Sequence, residues 1–365
     1  MKKIFIILFI ICLVAISGCT KKKEPIKIGA VLTMTGSGAH IGEEVRDGLN
    51  LAIEEVNARG GINGREVELV LEDCKTDKEE AIKIFRELEV TNPPHVYVSV
   101  TSLISVALAP EAEVYSVPLV GLVTAAKHDV LTGDREWVFN TFSTAEDEVP
   151  PIISIAQDKK LKSMGILYLN NVYGQSVSHL LKQEFEKIGG EVFMESFEAD
   201  EGDYSDRLSK FKDLESIYVI GFDPHIITGL KQIREMDYQG IVIGPATTTL
   251  PSVRNIPEAD GVYVAAPLIY KKEFPFAQEI KSKYEVKYDK PFSHYAGQGY
   301  NFVKIIEGLL EKESEATRKT IKEVFEMGFT YHGVFGTLDV KPGDHEMGFV
   351  EVSAQIVDGE INYFE

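Results

Sequence analysis

Apolar positions along this chain follow two rhythms. Nearly continuous β-branched runs, IKIGAVL at 26–32, EVELVLED at 66–73, HVYVSV at 95–100 and PLVGLV at 118–123, alternate with stretches of helical period. Runs this short and this apolar predict strands buried on both faces, as in a parallel sheet whose crossovers are helices. Between the first two, Leu49, Ile53 and Val56 repeat at helical spacing, and Arg59-Gly60-Gly61 ends that helix. A second series opens near Ser163 with SMGILYLN (163–170), EVFMESF (191–197), SIYVIGF (216–222) and GIVIGPA (240–246), separated by helical stretches such as SHLLKQEFEKIGG at 178–190. One architecture written twice predicts an α/β chain of two Rossmann-like, doubly wound lobes. No low-complexity tract or heptad array lies between them, so short, ordered crossings are expected. Ligands of open α/β sheets bind beyond the carboxyl ends of the strands, so two facing lobes define a cleft.

The N-terminal pattern differs. Lys2 and Lys3 precede an unbroken apolar run of thirteen residues, Ile4 to Ile16, which is too short to span a bilayer and right for an export signal. Ile16-Ser17-Gly18-Cys19 resembles the lipobox of prokaryotic lipoproteins. That resemblance implies a signal peptide at 1–18, acylation of Cys19, and an anchor and spacer at 19–25 with Lys21, Lys22 and Lys23 beside anionic headgroups. The ordinary alternative is a small-residue cleavage site that includes a cysteine. Removing residues 1–18 leaves 347 residues, enough for about two domains, and loss of Lys2 and Lys3 takes the formal charge from −19 to −21. Such an acidic body excludes a nucleic-acid backbone as partner. With Cys12 in the signal and Cys19 acylated, Cys74 has no thiol to pair with, so no intramolecular disulfide is expected.

Candidate chemistry is sparse. In LTMTGSGAHIG (32–42), Gly36, Gly38 and Gly42 fall short of a dinucleotide fingerprint because Ile41 stands where its last glycine belongs, and Glu72-Asp73 lies too far on for the ribose carboxylate. That leaves a turn that lets strand and helix pack, or a loop whose N–H groups face a ligand. The eight histidines form no H-E-x-x-H pattern, and no zinc-type cysteine pair or G-x-S-x-G elbow occurs. No metal, no cofactor and no enzymatic activity are expected. The carboxylate runs EDEV (146–149) and EADEGDYSD (198–206) read as solvated surface.

GLNLAIEEVNARGGINGREVELVLEDCKTDKEEA (48–81) carries Gly48, Ala52, Asn57, Gly60, Gly61, Ile62, Gly64, Glu72, Asp73 and Asp77 at the spacing of leucine/isoleucine/valine-binding proteins. APEAEVYSVPLV (109–120), NNVYGQS (170–176) and GGEV (189–192) match further, so nearly all of residues 26–365 resembles the type I periplasmic solute-binding family. The resemblance implies two lobes joined by three crossings, with an N-terminal lobe of 26–142 plus 268–335 and a C-terminal lobe of 143–267 plus 336–365. These lobes would close on a small amino acid or related carboxylate and hand it to an ABC importer of the branched-chain amino acid type, at the outer face of the cytoplasmic membrane. A ligand-sensing module of a receptor is the alternative reading, and a nicotinamide-dependent enzyme a remote one.

By the same resemblance Ser102 and Thr124 supply hydroxyls to the solute's carboxylate and Tyr173 and Phe222 close over the apolar part, while the glycine-rich loop around Gly38, on the reading of its own residues, adds N–H groups. Each has an ordinary reading as well: Ser102 as a helix cap, Tyr173 and Phe222 as packing. Two positions depart from the family. Ile41 replaces a tyrosine, and Ala246 stands where a glutamate pairs with the solute's ammonium. Either Asp223, after Phe222 at a strand end, replaces that charge, or the solute is an apolar carboxylate or amide without an ammonium.

Overall fold

The structure, a computed structural model, describes residues 23–271 and 275–364; the expected signal peptide at 1–18 and Cys19 lie outside the described residues. Strands β1 (Ile26–Leu32), β2 (Val67–Asp73), β3 (Val96–Val100), β4 (Leu119–Val123) and β5 (Val138–Asn140) form one sheet in the order β2-β1-β3-β4-β5, all parallel. The second sheet takes β6 (Ser163–Leu169), β7 (Glu191–Phe197), β8 (Ser216–Ile220), β9 (Ile241–Gly244), β10 (Tyr263–Pro267), β13 (Glu351–Val357) and β14 (Glu360–Tyr363) in the order β14-β13-β10-β9-β8-β6-β7. Here β13 and β14 run antiparallel, an edge the uniform parallel pattern did not announce. Strands β11 (Phe329–Gly333) and β12 (Gly336–Val340), on either side of residue 335, pair with one another.

The principal helices are α1 (Ala39–Ala58), α2 (Lys78–Thr91), α3 (Ser102–Tyr115), α4 (Ala145–Asp158), α5 (Val172–Lys187), α6 (Asp223–Glu235), α7 (Pro275–Tyr288), α8 (His294–Leu310) and α9 (Arg318–Glu326). Helix α1 buries Val45, Leu49, Ala52, Ile53 and Val56 and ends at Arg59, after which Gly60 and Gly61 take φ of 101° and 72°. Helix α5 starts earlier than the apolar run suggests, because the Asn171 side chain accepts the Gly174 N–H at 2.9 Å and caps it.

The chain passes between the sheets three times: after β5, after β10 and before β13. The first and third passages lie side by side, with Asn140 N–H donating to His345 O at 2.9 Å and Met347 N–H to Asn140 O at 2.6 Å. After β10 the chain returns to the first lobe through α8, which lies directly against α1. A β-carbon at Gly48 would collide with the carbonyl oxygen of Ala296, and one at Gly299 with that of Val45. Two glycines facing across the helix pair permit the backbones this approach, which is the packing reason for the glycine that opens the 48–81 motif.

Candidate functional site

The two sheets present the carboxyl ends of their strands to one another, and a narrow space of about 30 Å³ lies between them. Its first-lobe wall is built where β3 passes into α3. Thr101 takes φ of 63°, a strained value for a β-branched residue, and no side chain caps the helix. The first N–H groups of a helix have no intrahelical partner. The hydroxyls of Thr101 and Ser102, each residue only 3% exposed, also have none. Uncapped N–H groups and two free hydroxyls at a helix N-terminus suit a carboxylate by hydrogen bonding and by the helix dipole. Ile41, Val123, Ala125 and Phe142 make the rest of this wall apolar.

The second-lobe wall carries Tyr173 at the start of α5, Phe222 just before α6, and Ala246 and Thr247 in the turn after β9. Gly174 is required beside Tyr173, since a β-carbon there would collide with the carbonyl of Leu169. Tyr295 of α8 reaches across, its hydroxyl 3.2 Å from Thr247 Oγ1. Of the residues expected at the site, the structure therefore brings Ser102, Tyr173, Phe222 and Ala246 together around one space, with Ile41 among them.

Three others are elsewhere. Thr124 is buried behind the wall, its hydroxyl 2.6 Å from Ser105 Oγ, which is 2.8 Å from Ser99 Oγ; its neighbours Val123 and Ala125 line the space instead. Gly38 lies in the turn before α1, with its N–H donated to Thr76 Oγ1 at 3.2 Å and its carbonyl accepting the Thr33 hydroxyl at 2.8 Å. Both of its backbone groups are thus used within the loop. Asp223 lies beside the wall, with Oδ1 2.9 Å from Nε2 of His40 in the opposite lobe and Oδ2 3.3 Å from the Ser252 hydroxyl. It bridges the lobes rather than lining the space.

Glu148 was missed. The EDEV run, expected to be solvated, splits: Glu146 and Asp147 are exposed, whereas Glu148 is 2% exposed and lines the space. The signal was available, for Glu148 falls on the same stripe of α4 as Val149, Ile152 and Ile155. Its carboxyl accepts the Tyr218 hydroxyl and, at 3.4 Å, that of Tyr173. Burial pushes its pKa up to about 7, against the lowering effect of the two tyrosine hydroxyls. Glu351, at the start of β13, accepts the Ser143 hydroxyl with one oxygen, and its other oxygen is buried without a partner. Burial first, then the neighbouring Glu148, holds its carboxyl well above the usual range. Among the described residues no group of metal-ligating side chains is found, and no helix is long and apolar enough to cross a membrane.

A wider surface groove, about 570 Å³ and lined by Arg65, His95 and Glu313, sits at the amino ends of the first sheet's strands, away from this cleft.

Known proteins resemble the chain in sequence and in fold. The leucine-, isoleucine-, valine-, threonine- and alanine-binding protein of Pseudomonas aeruginosa is 24% identical over 308 residues, 82% of each chain. A leucine-binding protein of Thermotoga maritima superposes with a TM-score of 0.81 at 22% identity, covering 93% of this chain and 98% of that one. A fatty acid ABC transporter substrate-binding protein of Thermomonospora curvata also gives 0.81, at 20% identity over 94% and 92%. The family described as periplasmic binding protein matches residues 25–359, and on that match the chain belongs to this family.

Proposed function

We propose that this protein is held by acylated Cys19 at the outer face of the cytoplasmic membrane, captures a branched-chain amino acid between its lobes and delivers it to an ABC importer. The carrying observation is the pair of buried, unpartnered hydroxyls of Thr101 and Ser102 at the uncapped start of α3, on a first-lobe wall whose other lining residues are apolar. Such a wall favours a carboxylate with an aliphatic tail, and the relatives' names favour leucine, isoleucine or valine. A bound solute favours the state in which both walls contact it, so differential affinity drives closure. A second reading, an apolar carboxylate without an amino group, is favoured by Ala246 in the wall and by the neighbour named for fatty acids.

Calorimetric titration with leucine, isoleucine, valine and their deaminated acids tests the assignment. Ser102→Ala should weaken the bound solute at least tenfold, since a hydrogen bond to a charged group contributes about 1.5–3 kcal/mol. The folded state should change little, because that hydroxyl has no partner within the protein. Unchanged affinity would remove Ser102 from the site. Cys19→Ala should release the protein from membranes, and retention after signal cleavage would exclude the anchor.

A further inference from the structure

We infer that Glu148 receives the solute's ammonium group, replacing the carboxylate that position 246 does not supply. The inference deepens the amino-acid reading proposed above and rests on it. Among the described residues Glu148 is the one charged residue lining the space, opposite in charge to an ammonium and sharing the space with Ala246, Thr101 and Ser102. A buried carboxylate needs a counter-charge or a proton. Its hydrogen-bond partners, the Tyr173 and Tyr218 hydroxyls, are neutral. Behind it stands Glu351, also buried, with one oxygen on Ser143 and the other without a partner. Two adjacent buried carboxyls with neutral partners leave the site short of positive charge, and an incoming ammonium supplies it. On the first lobe, the unpartnered hydroxyls are an independent mark of a ligand whose other end is anionic. The lining thus holds groups suited to a carboxylate and a group suited to an ammonium, together with Ile41, Phe142 and Phe222 for an aliphatic part. Asp223, engaged with His40, is not required for charge.

The test is a calorimetric comparison, on the full mature chain, of leucine, 4-methylpentanoate, which lacks the amino group, and 3-methylbutylamine, which lacks the carboxylate. Expected are leucine binding at least tenfold tighter than either fragment, and in Glu148→Gln at least a tenfold loss for leucine with a gain for 4-methylpentanoate. The opposite responses separate charge recognition from damage to the fold, which would weaken both ligands together. If wild-type protein binds 4-methylpentanoate as tightly as leucine, or Glu148→Gln weakens both equally, the inference is overturned while carboxylate capture stands. If neither leucine nor 4-methylpentanoate binds, the proposed amino-acid reading falls and this inference with it. Should Glu148→Gln not fold, leucine titrations of the wild-type protein near pH 7 in buffers of different ionisation enthalpy read the proton that a buried Glu148 gives up on meeting an ammonium, and binding without proton release overturns the inference.

Discussion

At the scale of single residues, Glu148 makes the stability of the ligand-free protein depend on pH in a set direction. Its native pKa, near 7, lies above its ordinary value of 4.5. Below about pH 4.5 the native and unfolded states both hold the proton, so burial of the neutral acid carries no ionic penalty. Between there and pH 7 the unfolded chain ionises freely while the native carboxyl resists, and native stability falls by something of order 3 kcal/mol. Glu351, shifted in the same direction, adds to the loss. Urea unfolding at pH 5 and pH 8 should show the decline, and Glu148→Gln should flatten it. A slope unchanged in the variant would assign the effect to the acidic surface instead. Thr101 and Ser102 illustrate a related point: the strained φ at 101 and the free hydroxyls destabilise or do nothing for the empty fold, and make sense as preparation for a ligand.

At the scale of elements, the pairing of α1 with α8 holds the C-terminal part of the chain to the first lobe. Glycine is poor in a helix interior by about 1 kcal/mol against alanine, so Gly48 and Gly299 would be candidates for improvement if the helices were further apart. Here the facing backbone leaves no room for a methyl group. Gly48→Ala should therefore destabilise by about 1–3 kcal/mol through overpacking, despite the gain in helix propensity. Equilibrium urea unfolding measures it, and a neutral or stabilised variant would show that α8 can shift away. The periodicity of α1 was plain in the sequence, and so were the boundaries of β1 and β7. The short β5 and the antiparallel edge of β13 and β14 were not: three or four residues in β5 and β14 carry little local pattern, and β13 joins the sheet by pairing with β10, far back in the chain.

At the scale of the whole molecule, the lobes touch across the cleft through His40 with Asp223 and Tyr295 with Thr247. Both contacts involve side chains beside or within the solute walls, so a ligand between the walls and the bridges at their rim favour the same closed arrangement. Small-angle scattering should give a smaller radius of gyration with a verified ligand than without. That ligand at about 100 times its Kd should add about 2.7 kcal/mol to stability. An unchanged radius of gyration on saturation would count against hinged closure.

The alternating strand and helix rhythm, the repeat of that rhythm and the helix stop at Gly60-Gly61 were properties of the sequence itself, because each depends on residues close together in the chain. Ser102, Tyr173, Phe222 and Ala246, four candidates picked by their motifs and their positions after strands, line one space in the structure. Thr124 was misplaced by a single residue: its neighbours on either side face the space while its hydroxyl turns to Ser105. Glu148 was hidden for the opposite reason. Composition cannot tell which carboxylate of a run faces outward, and burial of this one depends on how α4 sits against Tyr173, Tyr218 and the returning β13. The charge balance of the site therefore belongs to the tertiary structure, since it arises from residues 148, 173, 218 and 351 meeting where no local sequence rule brings them together.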